Sequence, residues 1–167
     1  MKLLKKNYDL SLWIIPIFFA WLVCTLFVDI IAVPTVFKLS TRIEDAGKIG
    51  MSLFKTFNKW ELFLSSTVLF IYLLSPFKKN PLSLVFILFV VLWIFPLTYL
   101  FYFTPQITYY GTMLRSGVTD ANVLIKLQEM HTMFHQLYKI LDLSKMILIV
   151  LAIYLSKKHF HGDGGER

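Results

Sequence analysis

The sequence has a single cysteine, Cys24, and few charged residues, which make up 16% of its 167 residues. One cysteine cannot form an intrachain disulfide, so a disulfide-stapled secreted module is excluded. Ordinary soluble domains are about 25% charged, so the shortage of charge excludes a soluble single-core domain. The chain also lacks a phosphate-binding glycine loop, a serine nucleophile elbow and a Cys-x-x-Cys pair. We therefore expect no enzymatic activity.

Apolar residues are abundant, at 57% of the chain, and they are gathered in long runs between short charged segments. A helix needs about 20 mainly apolar residues to cross a membrane. The runs that meet this requirement are residues 10–37, 57–77, 81–103 and 137–155. Pro81 suits a first helical turn, and Pro96 should kink the third helix. We predict an all-α membrane protein, an antiparallel four-helix transmembrane bundle, as one domain over residues 1–156 with a polar tail over 157–167.

The basic residues predict the orientation of this bundle. Four spans place both termini and the Lys78-Lys79 turn on one side, where the positive residues are more densely spaced than on the other, so we expect cytoplasmic termini. The net charge is +7, and the basic residues behind it mostly flank the apolar runs. We therefore expect the lipid bilayer as a partner and no nucleic acid. Wide lipid-facing surfaces favour a homo-oligomer or other membrane subunits. We interpret several aromatic residues as interfacial anchors: Trp13, Trp21, Trp60, Trp93, Tyr102, Tyr109 and Tyr110.

Two of the helices are predicted to extend beyond the outer membrane surface. Thr41 and Glu44 have the spacing of a capping box, so the second helix should begin near them and run into the membrane without a break. Thr119 or Asp120 can cap the fourth helix in the same way. A further helical stretch is expected to follow the third span as far as Arg115.

Ionisable groups inside a span cost on the order of 2.5–3.5 kcal/mol each, so they need partners or a polar cavity. The predicted polar cluster comes from three helices and consists of Asp29, Glu61, His135, Tyr138, Asp142 and Lys145. Asp29 and Lys145 each lie about 12 Å inside the outer end of their span, at a rise of about 1.5 Å per residue, so they could pair. Glu61 and Asp142 should lie about one turn nearer the outer surface, with Lys139 or His135 as partners of Asp142.

The cluster allows three interpretations. It can be a set of structural ion pairs that fixes the order of the helices. It can be a polar cavity for handling a proton, a small solute or another ligand. It can also hold a divalent metal, through the carboxylates with His135 or through His131 and His135, which stand four residues apart on a helix. No other cofactor is expected, and Lys145 would compete with a metal for the carboxylates.

Short motifs in both halves of the chain resemble the transmembrane protein 205-like family. They are Phe27-Val-Asp29-Ile-Ile-Ala-Val-Pro34-Thr-Val-Phe37, Asp45-Ala-Gly47, Phe57-Asn-Lys-Trp-Glu61, Thr104-Pro105-Gln106-Ile107 and His135-x-x-Tyr138-x-x-x-Asp142-x-x-Lys145. The resemblance covers residues 12–155, although Lys38 stands where the family often has arginine. It implies a four-span protein of the bacterial plasma (inner) membrane with no established reaction.

Overall fold

The computed structural model describes residues 10–75, 83–117 and 119–161, and these ranges are helical without any strand. The helices are α1 (Leu10–Leu39), α2 (Ile43–Leu74), α3 (Leu84–Arg115) and α4 (Ala121–His161). The predicted all-α fold is therefore confirmed. Lys78, Lys79, Pro81, the end of the second predicted span at Phe77 and most of the polar tail lie outside the described residues.

Two of the described helices, α1 and α3, are long and apolar enough to cross a membrane. In α2 and α4 the apolar runs are interrupted by polar and charged residues, among them Glu61 in α2 and Lys139, Asp142 and Lys145 in α4. The prediction of membrane-length apolar helices thus holds for α1 and α3, and α2 and α4 need a separate argument.

The start of α2 differs from the predicted capping box. Ile43 is the first helical residue, and Arg42 occupies the N-cap position with an extended backbone and no side-chain hydrogen bond. Thr41 therefore precedes the cap, and its predicted role is wrong. Glu44 and Asp45 lie in the first turn instead, where their charges suit the positive end of the helix dipole.

The other described helix ends follow local sequence signals. Ser83 caps α3, since its hydroxyl accepts from the backbone N–H of Phe86 at 3.2 Å. The predicted helical continuation to Arg115 is confirmed, and Gly117, with φ of 78°, follows it in the left-handed region that glycine favours. Asp120 caps α4 as predicted, because its carboxylate accepts from the backbone N–H groups two and three residues further on.

Two helices contain a widened π-helical turn, Val28–Ala32 in α1 and Tyr99–Phe103 in α3. Each turn is followed, two residues past its end, by a proline, Pro34 or Pro105. Proline has no N–H, and its ring crowds the carbonyl four residues earlier, which lies inside the π turn in both cases. The widened turns therefore coincide with the positions where regular hydrogen bonding fails. Pro96 lies in the regular part of α3.

The four helices pack in a ring, in which each helix contacts the next one along the chain and α4 closes the ring by contacting α1. Two cores fill the interior. The apolar core, at the end of the ring where α1 begins and α4 ends, consists of Ile14, Phe18, Trp21, Val68, Tyr72, Val85, Leu88, Phe89, Leu92, Ile149 and Ala152. The aromatic core, towards the opposite end, consists of Tyr99, Phe103, Ile107, Phe134 and Tyr138. Buried polar residues lie between them.

Candidate functional site

Lys145 is the centre of the candidate site, and it is fully buried on α4. Its Nζ binds Glu61 Oε1 on α2, and it binds Asp142 Oδ1, one turn earlier on α4, at 2.5 Å. The ring of Tyr99 on α3 faces the ammonium group, with 5.2 Å between Nζ and the ring centroid. A buried charge is tolerated only when opposite charges and hydrogen bonds surround it. Lys145 therefore holds groups from α2, α3 and α4 together.

Glu61 connects this centre to α1. Besides Lys145, its Oε1 accepts from the indole Nε1–H of Trp21 at 2.8 Å and from the hydroxyl of Thr25 at 3.3 Å. All four of these side chains are almost completely buried. The other carboxylate oxygen, Oε2, is also buried and has no hydrogen-bond partner among the described residues. One oxygen of Glu61 thus carries every contact, while the second remains unpartnered.

Asp29 adds a third carboxyl group from the π turn of α1. Its carboxyl lines the same cleft as Asp142, and Lys145 and Glu61 are its further charged neighbours. We call Asp29, Glu61, Asp142 and Lys145 the charged cluster. It runs from half-buried Asp29 to fully buried Glu61.

A cleft of about 230 Å³ reaches the charged cluster from the side of the bundle. Asp29 and Asp142 lie in it, and the rest of its lining is Val33, Phe54, Tyr138, Lys139, Leu143 and Met146. A water molecule takes about 30 Å³ in the liquid, so the cleft can hold several waters or a small polar group. It makes the Asp29–Asp142 pair the accessible end of the cluster.

The structure changes the predicted pairing of the charges. Lys145 pairs with Glu61 and Asp142 and not with Asp29, so the predicted Asp29–Lys145 ion pair is wrong. The predicted partners of Asp142, Lys139 or His135, are wrong as well, because Lys145 and Asp29 take that place. Asp29 and Lys145 still belong to one cluster, connected through Asp142.

The predicted depth of Glu61 is also wrong. The apolar run begins at residue 57, but α2 itself begins at Ile43. Glu61 is therefore about 27 Å along the helix, at a rise of about 1.5 Å per residue. Its contacts with Trp21 and Thr25 place its carboxylate one to two turns further into the bundle than Asp29. The contact also shows Trp21 in the core, where an interfacial anchor was expected.

A second buried network lies beside the charged cluster and joins three helices. Tyr138 donates its hydroxyl proton to Asn58 Oδ1 at 3.0 Å, and Asn58 Nδ2 donates to Thr104 Oγ1 at 2.8 Å. Tyr138 was a predicted site residue, but Asn58 was not. Its signal was available, because Asn58 precedes Glu61 by three residues and so shares its helix face.

Tyr99 is the other site residue that the sequence did not reveal. Its ring is fully buried and lies 4.6 Å from the ring of Tyr138, centroid to centroid. Its hydroxyl is buried without a hydrogen-bond partner among the described residues. Its ring lies 5.2 Å from Lys145 Nζ, so Tyr99 borders the charged cluster. Within a long apolar run, nothing marked this tyrosine as different from its neighbours.

His131 and His135 form a separate pair, nearer the start of α4. Their rings meet edge to face with 4.6 Å between centroids. Burial, followed by the charges of His131 and Lys139, lowers the pKa of His135 to about 4. Burial and the Arg115 guanidinium lower the pKa of His131. His135 contacts no carboxylate of the charged cluster, so the predicted convergence of His135 with Asp29, Glu61 and Asp142 is wrong.

The guanidinium group of Arg115 lies close to this histidine pair. The imidazole of His131 and the guanidinium of Arg115 both pack against the backbone of Gly111 on α3. A Cβ at this position would lie 3.2 Å from Nε2 of His131 and 3.5 Å from a guanidinium nitrogen of Arg115. Across residues 10–75, 83–117 and 119–161, no group of three or more His, Cys, Asp or Glu side chains is placed to hold a metal. In the charged cluster, the ammonium group of Lys145 already binds Glu61 and Asp142.

Comparison of the chain with protein-family models, curated proteins and solved structures found no match. The resemblance to the transmembrane protein 205-like family stays a prediction from the motifs. The motif residues Asp29, Glu61, Asp142 and Lys145 form the charged cluster, and Tyr138 lies beside it.

Proposed function

We propose that this chain is a four-span, non-enzymatic integral membrane protein of the bacterial inner membrane. All four helices cross the bilayer, both termini lie in the cytoplasm, and α2 and α4 project beyond the outer surface. The charged cluster holds the four helices together inside the membrane. The proposal agrees with the family that the sequence motifs resemble.

The observation that carries this proposal is the direction in which polar and apolar residues face. In α4, the charged residues Asp142 and Lys145 are buried. Apart from Lys139, the exposed side chains of the same stretch are Leu137, Ile140, Leu143, Ile147, Val150, Leu151 and Tyr154. In α2, Asn58 and Glu61 are buried, while Trp60, Phe63, Phe70, Leu73 and Leu74 are exposed. A water-soluble bundle has the opposite arrangement. A bilayer would cover such a surface.

This arrangement also explains why α2 and α4 fall short of the composition of a simple membrane span. Asn58, Glu61, Asp142 and Lys145 lower the mean hydropathy of these helices, but they are buried and bind other buried groups. Polar residues inside membrane bundles commonly face the interior and pair in this way. The hydropathy of a whole helix therefore understates how apolar its lipid-facing side is.

The charged cluster is well suited to hold such a bundle together. Lipid tails are as apolar as leucine, so apolar contact alone gives helices little reason to associate in a bilayer. Glu61 and Lys145 connect α2 with α4, and Trp21 and Thr25 bring in α1 through the same carboxylate oxygen. Tyr99 brings in α3. Every helix thus contributes to one ionic centre.

A second function, handling of a proton or small solute, is favoured by the cleft at Asp29 and Asp142. A purely structural ion pair needs no opening, whereas this cleft leads to the carboxyl pair.

An association with other subunits is favoured by Val123, Leu124 and Ile125, which are exposed on the part of α4 beyond the proposed membrane.

Single-cysteine labelling tests the topology. In a Cys24→Ser background, we expect Ser40→Cys and Ser116→Cys to react with a membrane-impermeant maleimide added to intact cells. Both positions lie between helices, at the proposed outer surface. Lys157→Cys, near the end of α4, should react only after the membrane is permeabilised.

The native chain provides a control, because Cys24 is exposed on the lipid-facing side of α1. We expect it to resist the same reagent before and after permeabilisation. Extraction of the chain by alkaline carbonate, or labelling of Ser40→Cys and Lys157→Cys from the same side, would refute the four-span topology.

A further inference from the structure

The charged cluster has an excess of negative charge. Asp29, Asp142 and Glu61 supply three carboxyl groups, and Lys145 supplies one ammonium group. Even when one of the three carboxyl groups carries a proton, two carboxylates share a single ammonium group, which leaves one negative charge uncompensated. Burial of an unpaired charge is costly in a medium of low dielectric. A further positive charge would stabilise the cluster.

The cleft opens at the part of the cluster where this charge can be compensated. Asp29 and Asp142 lie in the cleft, whereas Glu61 is sealed inside the bundle. Lys139, one turn before Asp142 on α4, contributes an exposed ammonium group to the same cleft and has no ion-pair partner among the described residues. The cleft therefore offers a negative site and a positive site side by side.

Two buried oxygens show that the cluster is not fully satisfied by the protein. Oε2 of Glu61 and the hydroxyl of Tyr99 have no hydrogen-bond partner in the part of the chain that the structure describes. Glu61 binds Lys145 through its other oxygen, and the ring of Tyr99 lies 5.2 Å from Lys145 Nζ, so both residues border the cluster. Buried polar atoms are normally hydrogen-bonded, so such orphans point to an additional polar group.

The remaining walls of the cleft are apolar. Val33 on α1 and Leu143 and Met146 on α4 line it, and Leu143 also lies on the lipid-facing side. Phe54 and Tyr138, whose ring centroids are 5.5 Å apart, supply aromatic surface next to the carboxyl pair. Aromatic faces attract cations, especially where water is excluded. The cleft therefore matches a molecule with an ammonium group, an anionic group and a long apolar part.

We propose that the cleft binds a phospholipid with a primary-amine headgroup. The ammonium group binds between Asp29 and Asp142, the phosphate binds Lys139, and the acyl chains lie along Val33, Leu143 and Met146. This inference rests on the proposed membrane-spanning function, because the cleft faces lipid only when α1 and α4 both cross the bilayer. It assigns the cleft a ligand class, an amine phospholipid in place of a proton or a small solute.

Lipid titration of the purified full-length protein in detergent tests this proposal. The probes are phosphatidylethanolamine, phosphatidylcholine and phosphatidylglycerol with identical acyl chains, and the readout is lipid-bound protein in native mass spectra. A primary ammonium has three N–H donors for the two carboxyl groups, and a trimethylammonium has none. We expect phosphatidylethanolamine to bind about tenfold more tightly than either competitor.

Three variants locate the site. Asp29→Asn, which does not touch Lys145, should abolish the preference for phosphatidylethanolamine. Lys139→Gln should weaken all three lipids by a similar factor and keep the preference, since each of them has a phosphate. Lys126→Gln, an exposed lysine earlier on α4, should change nothing.

A fourth variant tests the cleft without changing any charge. Leu143→Trp should fill the cleft and weaken phosphatidylethanolamine about tenfold, while Leu137→Trp, exposed on the same helix outside the cleft, should not. Equal binding of the three lipids, tighter binding of phosphatidylglycerol, or a preference that survives Asp29→Asn would each overturn the inference. Correct cysteine labelling with no lipid preference refutes the lipid site alone, whereas failed labelling refutes the membrane topology.

Discussion

The apolar core and the charged cluster solve the same problem of joining four helices, but they do so with opposite chemistry. The apolar core packs side chains such as Phe18, Phe89 and Ile149, which contribute no charge. The charged cluster, next to it, joins its helices through Lys145 and Glu61. Packing contacts are many and individually weak, whereas the cluster depends on a few strong contacts that fail together.

The comparison also separates stability from function. A well-packed apolar region tolerates several exchanges of similar volume, and it gives a ligand no polar group to recognise. The charged cluster tolerates fewer substitutions, because removal of one charged side chain leaves its partner buried and unpaired. The cleft opens onto the cluster, through Asp29 and Asp142. Specific chemistry in this fold is therefore expected where the packing is interrupted.

Lys145→Met is expected to have the largest effect, a loss of about 3–5 kcal/mol in the free energy of unfolding, because Glu61 and Asp142 stay buried without their counter-ion. The double variant Lys145→Met/Glu61→Gln should lose clearly less than the sum of the single changes. Denaturant titration in mixed micelles measures both, with Lys126→Met as the exposed control. Additive losses would show that Lys145 and Glu61 act independently and would remove the contrast between the two regions.

Ile149→Ala tests the apolar core and is expected to cost about 3 kcal/mol, because it leaves a cavity among side chains that relax only partly. Ile149 is 0% exposed, while Ile147, on the same helix, is 61% exposed. The matched variant Ile147→Ala should cost less than about 1 kcal/mol, since a lipid or detergent chain can fill the space. Similar losses for the two variants would contradict the proposed inward and outward faces of α4.

The smallest expected effect concerns pH and the histidine pair outside both regions. Burial lowers the pKa of His135 to about 4 from an ordinary 6.5, so the folded state binds fewer protons than the unfolded state between these values. This contribution to stability is complete above pH 6.5 and is lost as the pH falls towards 4. It should amount to on the order of 1 kcal/mol, because the ring is only partly buried and solvent screens its charge.

The variant His135→Gln should therefore flatten the dependence of the melting temperature on pH between these two values. A wild-type protein with the same melting temperature across this range would contradict the lowered pKa of His135. The variant His135→Gln leaves the charged cluster intact. It therefore also tests whether the histidine pair contributes to stability independently of the charged cluster.

The sequence predicted the helices and the inward face of α4 well, because both follow from periodicity. Asp142 and Lys145 were expected on one helix face, and they do meet there. The partner of Lys145 was not predictable from depth measured along apolar runs, because α2 begins fourteen residues before its apolar run, at Ile43. The position of a polar residue in a bundle depends on where its helix starts, and hydropathy does not show this.

The π turns could not be predicted from the pattern of apolar residues. Val28–Ala32 and Tyr99–Phe103 are apolar like their flanks apart from Asp29, and a hydrogen bond that reaches five residues back leaves no trace in hydropathy. Tyr99 was missed for this reason, whereas Asn58 could have been found from its spacing with Glu61. Local composition thus revealed the helices, but not which side of each helix faces the bundle after a π turn.

The π turn of α1 changes which side of the helix is buried next to the cleft. Before its π turn, α1 buries one continuous stripe, made of Ile14, Phe18, Trp21, Thr25 and Val28. After the turn, none of the residues in Val33–Leu39 is fully buried. One extra residue rotates the remainder of a helix by about 100°, so the fully buried stripe does not continue past the turn, where the cleft opens. A one-residue deletion among Ile30, Ile31 and Ala32 would therefore reshape the cleft and leave every charge of the protein in its sequence.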